Sequence, residues 1–155
     1  MTSLRQLFAC LAGLLVLCTA ALAAESQARP ATAREIMVAA ANPHAAEAGI
    51  RILEQGGSAV DAAIAVQAVL GLVEPQSSGI GGGAFMLRFD AALGDIVTYD
   101  GRETAPSAAT PELFLTAAGE PMAFWDAVVG GRSVGVPGTL RMLELAHRQH
   151  GRLPW

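Results

Sequence analysis

The chain alternates between long apolar stretches and short polar or glycine-rich breaks, and the breaks divide it into segments. The first apolar stretch runs from Leu7 to Leu17 behind a single cation, Arg5, and gives way to Ala21-Leu22-Ala23. A positive start, an apolar middle and a small-x-small site predict a secretory signal peptide over residues 1–23. The run falls short of the ~20 residues that a membrane span needs, so no stable span is expected. An uncleaved N-terminal anchor is the alternative. Lipidation at Cys18 is disfavoured by the bulk of Leu17 before it. Residues 24–35 are polar, carry Pro30 and predict a flexible linker, leaving 36–155 as the folding part.

Within that part, Ile36 to Ala41 is an apolar run of strand length. Asn42-Pro43 predicts a helix start, with Asn as cap and Pro in the first turn. Ala46, Ile50 and Leu53 then share one face, and Gly56-Gly57 ends the helix. Ser58 with Asp61 three residues later reads as a capping box for a second helix. From Ala62 to Val73 only Gln67 is polar, which predicts a helix buried on nearly all sides, ended by Glu74-Pro75. Beyond the glycines at 79–83, Ala84 to Phe89 puts Phe85, Leu87 and Phe89 on one face of a strand. Ala91 to Gly94 turns it into a return strand, Asp95 to Tyr99. Thr110-Pro111-Glu112 predicts a short helix, Gly130 to Gly138 a loop, and Thr139 to His150 an amphipathic helix. Mixed helices and a hairpin place the chain in the α/β (α+β) class.

Charge and cysteine usage narrow the chemistry. The chain has 155 residues and a net charge of −4, and all ten of its basic residues are arginine. An acidic chain without a basic patch argues against a nucleic-acid partner. Both cysteines, Cys10 and Cys18, lie in the expected signal segment, so the remainder has no thiol for a disulfide or metal site.

Four constellations could carry function. Gly79-x-Gly81-x-Gly83 suggests a phosphate loop, but it precedes a strand where the dinucleotide fingerprint needs a helix. A loop that lets another backbone come close is the better reading. Gly131-Arg132-Ser133-Val134-Gly135 matches the G-x-S-x-G nucleophile elbow letter for letter. However, Val136-Pro137-Gly138 delays the helix, and no acid and histidine follow in the order a triad needs. His147 and His150 could meet a metal on one helix, yet two histidines without a third ligand make a poor site. A solvated helix face among Arg141, Arg148 and Arg152 is expected instead, and His44 is expected at the surface. The fourth is Asp100-Gly101-Arg102-Glu103-Thr104-Ala105-Pro106, which sets a lone guanidinium just past a strand end. Its planar, permanently charged fork suits a carboxylate. The alternative is a structural Arg102 paired with Asp100 or Glu103.

Taken in order, Asn42 to Ala63, Glu74 to Leu87, Asp100 to Pro106 and Ser133 to Gly138 resemble the start of the large subunit of γ-glutamyltransferases. The resemblance covers about Glu35 to Trp155. It implies an N-terminal nucleophile hydrolase fold, an αββα sandwich of which this chain is the N-terminal portion. It also implies an enzyme that transfers or hydrolyses γ-glutamyl groups, such as that of glutathione, without a metal or organic cofactor. By the same resemblance, Arg102 binds the substrate α-carboxylate. Asp100 and Glu103 are expected to position it. The catalytic Thr is expected downstream, in a small subunit that is this chain's implied partner, so no catalytic residue is expected here and the chain alone should be inactive. The expected location is secreted or periplasmic. Two other readings stay open: a free-standing, non-catalytic domain that binds an acidic small molecule, and part of a related β-lactam (glutaryl) acylase.

Overall fold

Two helix caps legible in the sequence organise the first half of the structure, a computed structural model that describes residues 31–155. Helix α1 spans Pro43–Glu54, and the Asn42 side chain accepts from the His44 N–H at 3.0 Å. Helix α2 spans Ala59–Val73 behind a reciprocal capping box. The Asp61 N–H donates to Ser58 Oγ at 3.2 Å, and the Ser58 N–H donates to Asp61 Oδ2 at 2.7 Å. Such a box satisfies two of the backbone donors that a helix start leaves open. Gly56 takes the left-handed conformation (φ 86°) that ends α1, a geometry side chains avoid.

The two helices pack tightly through Gly49. A Cβ there would lie 2.8 Å from Val66 Cγ2 and 3.0 Å from Val38 Cγ1. Asn42 Nδ2 also donates to Glu74 Oε1 at 3.0 Å, which ties the start of α1 to the end of α2.

Strands β1 (Ala84–Asp90) and β2 (Asp95–Gly101) form an antiparallel hairpin in which Ala84 faces Gly101 and Asp90 faces Asp95. Alternate residues point to opposite faces. One face carries Ala84, Met86, Val97 and Tyr99, which pack with Val60 of α2. It also meets Met142, Leu143 and Ala146, all from helix α4 (Thr139–His150). The Tyr99 hydroxyl donates to Gln149 Oε1 at 2.7 Å, so the ring is buried with its polar tip satisfied. Between hairpin and α4 lie the short helix α3 (Phe124–Val128) and a 3₁₀ turn at Gly131–Ser133. From Ile36 on, these elements form one unit; residues 31–35 carry no helix or strand.

Several expectations are corrected. Ile36 to Ala41 forms no strand, because β1 and β2 pair only with each other among the described residues and leave that run no ladder partner. Residues 111–114 make turns, not a helix. Helix α2 is buried at its start, at Val60, Asp61 and Ala62, but Leu72 near its end is 80% exposed. Phe85, Leu87 and Phe89 do share one face of the hairpin, as expected, and that face is open, with Leu87 71% exposed. Hydrophobicity states that a face wants cover, not which segment supplies it. The expected signal segment and most of the linker lie outside the described residues. Among the described residues, no helix is long and apolar enough to cross a membrane.

Candidate functional site

The site is built where the chain leaves β2. Residues 102–104 run between the glycine loop on one side and residues 135–136 on the other. Thr104 and Val136 form an antiparallel bridge, with Val136 N–H to Thr104 O at 2.8 Å and Thr104 N–H to Val136 O at 3.3 Å. The glycine loop is docked by its carbonyl: Gly82 O accepts from the Gly138 N–H at 3.1 Å, the Thr139 N–H at 3.2 Å and Thr139 Oγ1 at 2.9 Å. Gly138 has no side chain to cap α4, so Gly82 satisfies donors that the helix start would otherwise leave open.

The glycines are needed for close approach, and they are not equivalent. A Cβ on Gly83 would collide with Glu103 Oε2 and lie 2.8 Å from its Cδ and 2.9 Å from its backbone N. A Cβ on Gly135 would lie 2.9 Å from Glu103 Cβ, and one on Gly138 would run into the Gly101 carbonyl. Gly79 and Gly81 have open space around them. Glu103 is thus gripped from two sides by backbone without side chains. The Gly82–Gly83 end of the loop lies against neighbouring backbone, the close approach that its order before a strand suggested.

Arg102 stands at the edge of this arrangement with a side chain 71% exposed. Its Nε lies 3.7 Å from Glu103 Oε2, a distance that guides the guanidinium without saturating it. Asp100 Oδ1 accepts from the Arg102 backbone N–H at 2.9 Å, so Asp100 holds the turn and not the guanidinium. The Glu103 backbone N–H holds that residue's carboxyl below the usual carboxylate range. Desolvation opposes it, while the Gly83 N–H and the Arg102 charge reinforce it. Glu103 is therefore an anion at neutral pH, set back against the glycines. In front of it opens a cleft of about 370 Å³, with Arg102 to Pro106 on one wall and Arg132 to Gly135 on another. Leu113 and Phe114 supply apolar lining. An open guanidinium, apolar lining and an inward-held carboxylate can receive a small anion and orient it.

The other sequence candidates resolve differently. Ser133 sits in the 3₁₀ turn with its hydroxyl donating to Val128 O at 2.6 Å, so the elbow geometry is absent, and among the described residues no histidine hydrogen-bonds to it. His44 is exposed, as expected. His147 is not on a solvated face. Its side chain is 14% exposed, with Nε2 at 2.8 Å from Leu153 O and 3.4 Å from Asp61 Oδ1. A carbonyl only accepts, so Nε2 carries a proton. Asp61, read from the sequence only as a cap, also accepts from the Arg152 N–H at 2.9 Å and the Leu153 N–H at 3.4 Å. It thereby ties the segment after α4 to the start of α2. Nothing local in the sequence announces this contact, which joins residues about ninety positions apart.

The sequence profile described as Gamma-glutamyltranspeptidase matches residues 45–155, most of the chain. The chain belongs to the γ-glutamyltranspeptidase family. It is 49% identical over 110 residues to the glutathione hydrolase proenzyme of Bacillus subtilis (strain 168), covering 71% of this chain and 19% of that protein. Among solved structures it resembles the γ-glutamyltranspeptidase of Pseudomonas nitroreducens complexed with L-DON (39% identity, TM-score 0.73). That match covers 80% of this chain and 36% of the solved one. The γ-glutamyltranspeptidase of Helicobacter pylori is similar at 34% identity and a TM-score of 0.74, over 81% of this chain and 35% of the other. The α/β architecture is that of this family. The chain spans about a fifth of the length of the first curated relative and about a third of these solved chains.

Proposed function

We propose that this chain supplies the α-carboxylate clamp of an enzyme that transfers or hydrolyses γ-glutamyl groups, with Arg102 as the clamp. The observation that carries the reading is the open Arg102 guanidinium at the cleft, aimed by a Glu103 carboxylate that is itself held by backbone. Two oxygens of a carboxylate match two N–H groups of a guanidinium, so one such pair fixes both position and angle. With its acid end held, a γ-glutamyl donor presents its γ-carbonyl at a set distance to an attacking group. That group is a threonine hydroxyl on a small subunit beyond the residues present here. The names of the relatives, glutathione hydrolase and γ-glutamyltranspeptidase, support glutathione-like substrates. The expected signal segment supports a secreted or periplasmic location.

Kinetics of the full-length protein with a γ-glutamyl anilide test this. Arg102→Ala should lower kcat/KM by roughly one and a half to three and a half orders of magnitude, equivalent to about 2–5 kcal/mol for removing one partner of the charge pair that the bound carboxylate completes. Arg102→Lys should recover part of it, since a point charge replaces the fork. Unchanged kcat/KM in the Ala variant would refute the assignment.

A further inference from the structure

The cleft has a second cation. Arg132 lines the same cleft as Arg102, on the 3₁₀ turn that ends at Ser133. The turn is braced: Ser133 Oγ donates to Val128 O at 2.6 Å and approaches Gly130 O at 3.3 Å. The guanidinium is braced as well, with Nη1 donating to Leu113 O at 2.6 Å. One carbonyl uses one of its five N–H donors, and among the described residues no carboxylate lies within salt-bridge distance of it. Among the described residues, Glu103 is the one acidic side chain that lines the cleft, and it is turned onto Gly83 and Arg102. Two arginines thus line one space of about 370 Å³ where, among the described residues, the single lining carboxylate is already engaged.

A charge imbalance of that kind fits a ligand with two anionic ends. We propose that Arg132 is a specificity-determining residue that takes the C-terminal carboxylate of γ-glutamyl peptides, while Arg102 takes the glutamyl α-carboxylate. This deepens, and rests on, the reading of Arg102 given above. Glutathione has both carboxylates; its glycinamide analogue and γ-glutamyl anilides keep only the one assigned to Arg102. Because Leu113 already fixes Nη1, the remaining donors of Arg132 are oriented before a ligand arrives, which reduces the ordering cost of binding.

The test is a comparison of glutathione with its C-terminal glycinamide on the full-length enzyme and its Arg132→Ala, Arg132→Lys and Arg102→Ala variants. Arg132→Ala should reduce the preference for glutathione over the amide, as a ratio of kcat/KM, by about tenfold. The change should appear chiefly in KM, and Arg132→Lys should restore part of the preference. Equal losses on both compounds would show that Arg132 only supports the fold, and an unchanged preference would show that it meets no carboxylate. Either result overturns the proposal. Arg102→Ala should depress both compounds alike. If it depresses neither, the α-carboxylate reading falls, and the Arg132 preference ratio still reports separately on the second carboxylate.

Discussion

Gly83→Ala is the substitution whose consequence follows most directly from the geometry. The added Cβ would overlap Glu103 Oε2 and come within 2.8 Å of Glu103 Cδ and 2.9 Å of its backbone N. A carboxylate can swing aside, but the backbone N cannot move without dragging Arg102, which is covalently next to it. Overpacking of this kind costs about 1–3 kcal/mol. A displacement of about 1 Å in a positioning residue can cost on the order of a hundredfold in rate. The expected result is a full-length protein that folds, melts several degrees lower and loses ten- to a hundredfold in kcat/KM for a γ-glutamyl anilide. Gly81→Ala is the control, because nothing lies within 4 Å of its would-be Cβ. It should leave the melting temperature within a degree or two of the parent, as expected of a change that meets no neighbour. Parental melting temperature and kcat/KM in Gly83→Ala would show that Glu103 is not held by the glycine loop, and the reasoning about the clamp's support would fail.

Two further outcomes follow from the packing and the charges. The Asp61 carboxyl is buried, and desolvation pushes its pKa up, but hydrogen bonds from Arg152, Ser58 and Leu153 outweigh this and leave it below the ordinary value of 3.8. Its stabilising contribution is therefore complete above that ordinary value and fades as pH falls through the lower, folded-state value. Asp61→Asn should lower stability at pH 6 by about 1–3 kcal/mol. Thermal melts of the pair between pH 6 and pH 3 should show the gap narrowing, and a constant gap would contradict the charge argument. Met142 is 5% exposed and packs with Val60 and Tyr99, so Met142→Ala should cost about 2–5 kcal/mol in denaturant unfolding, and a loss under 1 kcal/mol would contradict the assignment of the core.

What could be read from the sequence was local. Asn42-Pro43, the Ser58–Asp61 box and the Thr139–His150 helix all depend on neighbours within four residues, and the structure has them where the pattern places them. The hairpin was equally plain, because period-two alternation and a tight turn lie within eighteen residues. Ile36 to Ala41 misled, because strand propensity without a ladder partner makes no strand. That the Phe85, Leu87 and Phe89 face stands open was not legible either, since alternation marks an apolar face without saying whether anything covers it. At the site, Arg102 stood out by its motif and by family resemblance. The grip of Gly83 and Gly135 on Glu103, and the place of Arg132 in the lining of the cleft, depend on contacts nineteen or more residues apart, to which no local pattern corresponds.

The claim at the centre is that the guanidinium at position 102 receives the acid group on the α-carbon of a glutamyl compound. A crystal structure of the full-length protein with glutamate bound tests it most directly. Two Arg102 nitrogens should lie about 2.7–2.9 Å from the two α-carboxylate oxygens. A bound glutamate whose α-carboxylate is held by other groups, with Arg102 turned to solvent, would contradict the account.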